Sequence, residues 1–431
     1  MIKLGNQEFI PTGFEKVYRG SELMYQKKNK APYTCCGLYH CNTNLVDCTG
    51  YNYAQGSFGE VVGVFDKGTN STNLKCFNIG EFSAEQIKTG DCYFEFWYKN
   101  PNQATGEEVI IGRTNNSGGI MFVTNADWNA SGITLGNSYA DTSSREHIYT
   151  PSNLDFRNWT HVAFQFHSGK IYCFVNGKLT DKYNVATNMQ HGIGSIAKDW
   201  QNSSCYYDEV MCCREAYHLA DFDVPTEPYE MPWTHQEVNY IESSGSQYIN
   251  TTYNPFSTIG VEMKYALTEA DPTKNYTIFG SYAKQNSSAS VVGRLQYKIL
   301  TENVFFGYGN ATSDSSQPAP MDLNDHIAKQ DSNKLYIDDT LKYTLSSSSF
   351  GYKAPICFCA NGYYNVATTD YPTLSLNDYA KMKLYYAKIY SNGNLARNFI
   401  PVLRSDGKAC LYETLQGNYY INKGSGSFTY G

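Results

Sequence analysis

Residues 158–179 read NWTHVAFQFHSGKIYCFVNGKL, and the fold class follows from this stretch. Val162, Phe164 and Phe166 alternate with His161, Ala163, Gln165 and His167, the period of two expected of a strand with one buried and one wetter face. Ser168 and Gly169 interrupt the run, and the β-rich Lys170–Val175 follows. It ends at Asn176-Gly177, a dipeptide suited to the two left-handed positions of a type I′ hairpin turn. Two hairpins are therefore expected within about twenty residues.

Outward from this centre, CYFEFWYK (92–99), EEVIIGR (107–113) and CYYDEVMCCREAY (205–217) read as further strands. In the second half, HIAKQDSNKLYIDDTL (326–341) repeats the central hairpin with a shorter turn. His161 then matches His326, Gln165 matches Gln330, Lys170 matches Lys334 and Tyr172 matches Tyr336. YTIFGSY (276–282) echoes EEVIIGR, so two diverged copies of one sandwich are expected. Near the end, Asn392-Gly393, Asp406-Gly407 and Gln416-Gly417 mark hairpin turns between β-formers. Pro225, Pro228 and Pro232 predict a stiff connector between the copies. Residues 1–31 offer two brief strands around Arg19-Gly20 and are too short to bury a core of their own.

The pattern W-T-H-V-A followed by I-Y-x-F-V-N-G-K-L resembles the central hairpin of laminin G-like domains, members of the concanavalin A-like jelly-roll superfamily. GLYHCNTNLVDCTGYN from Gly37 resembles their first strand, and the D-E-V of 208–210 their closing strand. Three other segments resemble modules of bacteriophage tail, fibre and head-decoration proteins. They are K-V-Y-x-G-S-x-L-x-Y in the leader, Y-I-E-S-S-G-x-Q-Y-I from Tyr240, which also resembles repeated modules of some bacterial surface proteins, and the terminal N-G-x-L-x-R-x-F-I-P with its closing G-S-G-S-F-T-Y-G. The resemblance implies an all-β chain of two tandem concanavalin A-like jelly-roll sandwiches with a short N-terminal β leader. The expected divisions are a leader at 1–31, a laminin G-like jelly roll at 32–222, a Pro-rich linker at 223–236, and a second jelly roll with C-terminal hairpins at 237–431.

Of the 431 residues, 41% are hydrophobic and 17% charged, with 38 Tyr and 22 Phe, so cores can be filled while the surface is rich in Tyr, Asn, Ser and Thr. A net charge of −7, with Lys27, Lys28 and Lys30 the only compact basic run, argues against nucleic-acid binding. No apolar h-region opens the chain and no window holds the ~20 apolar residues of a membrane helix. Neither general export nor membrane insertion is expected. The 13 cysteines cannot all pair, and free buried thiols are expected. Cys35, Cys36, Cys41 and Cys48 lack the close C-x2-C knuckle of zinc sites. Cys357 and Cys359 stand ~6.6 Å apart on a strand, near the limit for a disulfide.

No G-x-S-x-G elbow, Walker loop or H-E-x-x-H helix occurs. The E-x-D-x-E carboxylate run of jelly-roll glucanases is also missing. Asp338-Asp339 falls at a turn, and Asp208-Glu209 would direct its carboxylates to opposite faces of a strand. His161 and His167 share a strand face but stand ~20 Å apart, too far for one metal ion. Calcium is an expectation carried by the resemblance, with Asp47, Asp66 and Asp208 as candidate ligands. Trp128 and Trp200, in polar loop surroundings, are the candidate platforms for sugar, whereas Trp97 and Trp159 are expected in strands and buried.

The combination predicts a non-enzymatic bacteriophage virion protein, assembled in the host cytoplasm and displayed on the particle as a tail or head fibre or decoration. Its leader would hold other virion proteins, and its sandwiches would bind host-surface carbohydrate or neighbouring subunits, with a homo-oligomer expected. A glycan-cleaving depolymerase and a bacterial surface adhesin are the alternatives.

Overall fold

The structure is a computed structural model. It describes residues 2–4, 7–9, 16–19, 22–26, 30–32, 34–41, 47–50, 54–55, 59–71, 76–101, 108–112, 121–124, 133–136, 155–185, 192–196, 205–284, 291–346, 350–351, 354–365 and 374–431. The chain divides into two compact units, Met1–Asp47 with Asn52–Pro232, and Cys48–Tyr51 with Trp233–Gly431. Among the described residues no helix is long and apolar enough to cross a membrane. The short helix Ala84–Thr89 is closed at its start by a capping box of Ser83 and Gln86.

In the first unit the larger sheet runs Lys178–Asn184, Lys170–Val175, Thr160–His167, Cys92–Lys99, Cys205–Cys213, Lys67–Ser71 and Gly59–Val62, with Cys35–Tyr39 also on Cys205–Cys213. Its smaller sheet runs Ile133–Gly136, Met121–Thr124, Glu108–Gly112, Ile193–Ile196, Cys76–Phe82 and Ala54–Gln55. Between them lies one core that takes Phe94, Phe96, Val162, Phe164 and Phe166 from the larger sheet and Phe77, Ile79, Phe82, Ile193 and Ile196 from the smaller. Phe82 and Phe94 meet edge to face across it at 5.0 Å. Each such ring withdrawn from water contributes about 1.5–3 kcal/mol.

The second unit repeats this layout. Thr340–Thr344, Lys334–Ile337, His326–Asp331, Ile259–Leu267 and Lys381–Ser391 lie side by side, as do Asn303–Tyr308, Val291–Leu300, Asn275–Lys284, Cys357–Phe358 and Ile249–Asn250. Taken in chain order, these ten strands fall in the same positions in their two sheets as ten of the first unit. Both units are jelly-roll sandwiches with mostly antiparallel pairing, and apart from Ala84–Thr89 the regular structure among the described residues is β. The terminal turns also form as expected, joining Lys381–Ser391, Asn394–Arg404, Ala409–Glu413 and Asn418–Tyr420.

The central hairpins form as the sequence predicts. Ser168 and Gly169, then Asn176 and Gly177, all adopt positive φ, at 49°, 71°, 48° and 72°. The repeat differs in detail from its expected alignment. Its first turn is not shorter, because Asp331 pairs Lys334 just as His167 pairs Lys170. The strands are shorter instead, so the alignment slips by one residue on the first strand. Gln165 lies on the face opposite the core residues Phe164 and Phe166, whereas Gln330 is buried beside Ala328 and opposite Val261.

Thr160–His167 has no wet face except at His167. Residues 214–230, part of which the sequence reads as a connector, lie over its polar side. Tyr217 and His218 amides donate to Gln165 Oε1 at 2.6 and 3.3 Å. Phe222 N–H donates to Gly177 O at 2.9 Å, and Tyr229 N–H to Glu209 Oε2 at 3.1 Å. The stiff connector expected at 223–236 is thus packed on the first unit as far as Pro232, and His235–Glu237 already pairs with Asn394–Arg404 in the second.

Twelve of the 13 cysteines, Cys357 and Cys359 among them, are buried. Trp97 and Trp159 are only half-buried, and Trp159 precedes its strand. The leader forms the expected hairpin Lys16–Arg19 with Glu22–Gln26, and a further one from Ile2–Leu4 and Gln7–Phe9.

Candidate functional site

The calcium candidates serve backbone amides. Asp47 is buried and accepts from Leu38 N–H at 2.9 Å. Asp208 accepts from Val64, Phe65 and Glu209 N–H at 2.7, 3.2 and 2.9 Å. Burial lifts its carboxyl to about 6, with Glu209 adding to the rise and the amide donors opposing it. Asp66 is exposed in a turn at φ 105°, where its own carbonyl accepts from Gly63. Among the described residues no three His, Cys, Asp or Glu side chains gather as metal ligands. Trp128 and Trp200 lie outside the described residues.

A second cluster sits under residues 214–230. Glu95 is fully buried, accepts from Tyr93 Oη at 2.6 Å, and lies 3.3 Å from His161 Nε2. Burial alone would raise the Glu95 carboxyl, but the hydrogen bond and charge of His161, with help from Tyr229 and Tyr93, hold it below its ordinary value. His161 also packs edge-on against Trp97 and Phe222 at 5.1 and 5.8 Å. Covered in this way, the cluster holds the strap of residues down rather than meeting a ligand.

A different arrangement lines the second unit's smaller sheet. Along Val291–Leu300, Leu295, Tyr297 and Ile299 are fully buried, and alternation sends Arg294, Gln296 and Lys298 to the other face. Cross-strand register extends that face in two rows. One row reads Gly307, Gln296, Gly280, Asn361 and Asn377. The next reads Arg294, Tyr282, Tyr363 and Ser375.

Two glycines open the first row. A Cβ on Gly280 would come within 2.6 Å of Asn361 Oδ1, and its absence lets Gln296 Nε2 reach over to donate to that oxygen at 2.6 Å. Asn361 Nδ2 in turn donates to Asn377 Oδ1 at 2.7 Å. A Cβ on Gly307 would stand 2.5 Å from Arg294 Cδ, so the arginine stem lies over bare backbone.

In the second row the rings of Tyr282 and Tyr363 stack at 4.9 Å and 13°, with Lys284 Nζ 5.7 Å from the Tyr282 centroid. Tyr282, Tyr363, Lys284 and Arg294 are all half-buried, so part of each residue reaches solvent, although Arg294 Nε is buried. Burial raises the Tyr282 phenol to about 12, and it stays a neutral donor. Lys298 is pulled down by burial and held charged by Asp378, 2.7 Å away.

The strands of this sheet contain no Asp or Glu. Asp378, just beyond Ser375–Asn377, is occupied by Lys298. Gln296 and Asn361 are buried within this face, so the groups it presents outward are the half-buried Tyr282, Tyr363 and Arg294 and the exposed Asn377. A two-carboxylate hydrolysis site would need a second acid here. None of these residues figures among the sequence candidates. The alternation R-L-Q-Y-K-I at 294–299 and the glycines inside two β runs were the available signals. Tyr363 gave none, because its parallel pairing with Tyr282 joins distant parts of the chain.

Residues 78–208, within the first unit, match a family model described as the Concanavalin A-like lectin/glucanases superfamily. No curated protein matches the chain. Among solved structures, domain 4 of AbnA, an extracellular arabinanase from Geobacillus stearothermophilus in complex with arabinotriose, is similar at 16% identity and TM-score 0.34, over 44% of this chain and 96% of that one. The binding domain of Botulinum neurotoxin DC, in complex with rat synaptotagmin II, is similar at 12% identity and TM-score 0.36, over 90% of this chain and 94% of that one. The binding domain of Paraclostridial Mosquitocidal Protein 1 is similar at 12% identity and TM-score 0.33, over 91% and 92%. The likeness to concanavalin A-like lectins and glucanases thus rests on residues 78–208.

Proposed function

We propose that this chain is a non-catalytic contact protein on the surface of a bacteriophage particle, part of a tail or head fibre or decoration. Its second sandwich would take host-surface glycan on the smaller-sheet face. One observation carries the binding reading: Tyr282, Tyr363, Arg294 and Asn377 converge on one sheet face whose strands hold no carboxylate. The viral part is supported by the leader, Tyr240 and C-terminal segments that resemble phage modules. On this reading the leader attaches the chain to other virion proteins, copies assemble as a homo-oligomer, and synthesis takes place in the host cytoplasm.

Two experiments test it. Mass spectrometry of purified particles should find the chain in many copies, and its absence from them would remove the viral assignment. Full-length protein incubated with host-surface polysaccharide should bind it without releasing new reducing ends. Release of such ends would replace the contact role with a depolymerase.

A further inference from the structure

We infer that the smaller-sheet face of the second unit selects sugars that carry a carboxylate, and that Arg294 is the residue that reads it. This inference deepens the glycan-binding reading and rests on it. The chain as a whole carries a net charge of −7, yet the strands of this sheet contribute Lys284, Arg294 and Lys298 and no acid. Lys298 is neutralised by Asp378 at 2.7 Å. Arg294 is different. Among the described residues no carboxylate pairs with it, and its buried Nε has no hydrogen-bond partner. Burial pulls the guanidinium below its ordinary range without discharging it, and the neighbouring group acting on it is the phenol of Tyr282.

Arg294 is only half-buried, so a carboxylate that reaches its guanidinium gains a charge-assisted bond to a cation already partly stripped of water. A carboxylate matches the planar fork of arginine, two oxygens to two N–H groups, in a way that a hydroxyl cannot. Geometry fixes where the rest of the sugar lies. Arg294 is cross-strand neighbour to Tyr282, whose ring is stacked on Tyr363. A pyranose ring on that stack would place its carboxylate toward Arg294 and its opposite edge toward Ser375, with Lys284 at the rim. Gly307 makes the arrangement rigid, because the arginine stem occupies the space a side chain there would fill.

The test uses full-length protein and three acidic polymers, polygalacturonate, hyaluronate and polysialic acid, each beside its carboxyl-reduced form, with affinity read by calorimetry at low and moderate salt. At least one acidic polymer should bind, weaken as salt rises, and lose at least tenfold in affinity on carboxyl reduction. Arg294→Gln should lose at least tenfold for that polymer, and Arg294→Lys should recover only part, because it restores charge without the fork. Carboxyl reduction changes the ligand and not the protein, so a folding defect in a variant cannot mimic that result. Equal binding of native and reduced polymers, or unchanged affinity in Arg294→Gln, would overturn the inference and leave glycan binding standing. Failure of all polymers in both forms would contradict the glycan reading, and this inference with it.

Discussion

Glu95 and His161 show how far a single residue can be read from sequence. The alternation that made His161 part of a polar strand face was legible, but its burial was not. The residues that cover it, Tyr217 to Phe222, come more than fifty positions later and contain no marker of where they pack. What the fold makes of the pair is a buried charge. Since the Glu95 carboxyl is held below its unfolded value, the stability it contributes is fully present above that unfolded value, ~4.3, and is lost as pH falls through the lower folded value. Chemical denaturation between pH 7 and pH 3 should therefore show a steeper loss in the native protein than in Glu95→Gln. Equal slopes would mean that the Glu95 carboxyl is not ionised in the folded state. His161→Leu, which strands the carboxylate, should cost about 3–5 kcal/mol at pH 7.

Hairpins are the elements the sequence states most openly, because a two-residue turn with two positive φ values leaves few residue choices. Gly169 and Gly177 occupy such turns in the same unit at φ 71° and 72° and differ in surroundings. A Cβ on Gly169 would meet only Lys88 O at 3.4 Å, whereas one on Gly177 would stand 2.1 Å from Phe222 O. Gly169→Ala should destabilise by ~1 kcal/mol, the left-handed penalty alone. Gly177→Ala should cost ~2 kcal/mol or more, because the strap over residues 214–230 must also shift. Urea unfolding of the two variants measures the difference, and equal midpoints would show that the strap is not anchored at Gly177. The duplicated hairpin shows the limit of reading elements by eye. Lys170 and Lys334 hold matching places after the turn, but strands shortened on both sides carry Gln330 to the buried face. Pattern matching registers residue types before it registers the face on which they fall.

At the scale of the whole molecule, the tandem all-β architecture was legible because each copy repeats its periodic runs in one order, and ten strands keep that order in both units. The recognition face was not legible as a site. Its parts come from 280–284, 294–298, 361–363 and 377, and only sheet register brings them together. Residue type alone points to Trp128 and Trp200 and to loop aspartates. Asp47 and Asp208 proved to be taken up by amides of their own unit. Charge gave the better guide once the sheet was assembled, since acids are absent from every strand of it while the chain as a whole is acidic.

Hydrogen–deuterium exchange of the full-length protein, with and without host-surface polysaccharide, tests most directly whether this face makes the contact. Slowed exchange should concentrate in Asn275–Lys284, Val291–Leu300 and Asn361–Asn365, with the first unit unchanged. Protection confined to the first unit, or none at a saturating concentration of polysaccharide, would contradict it.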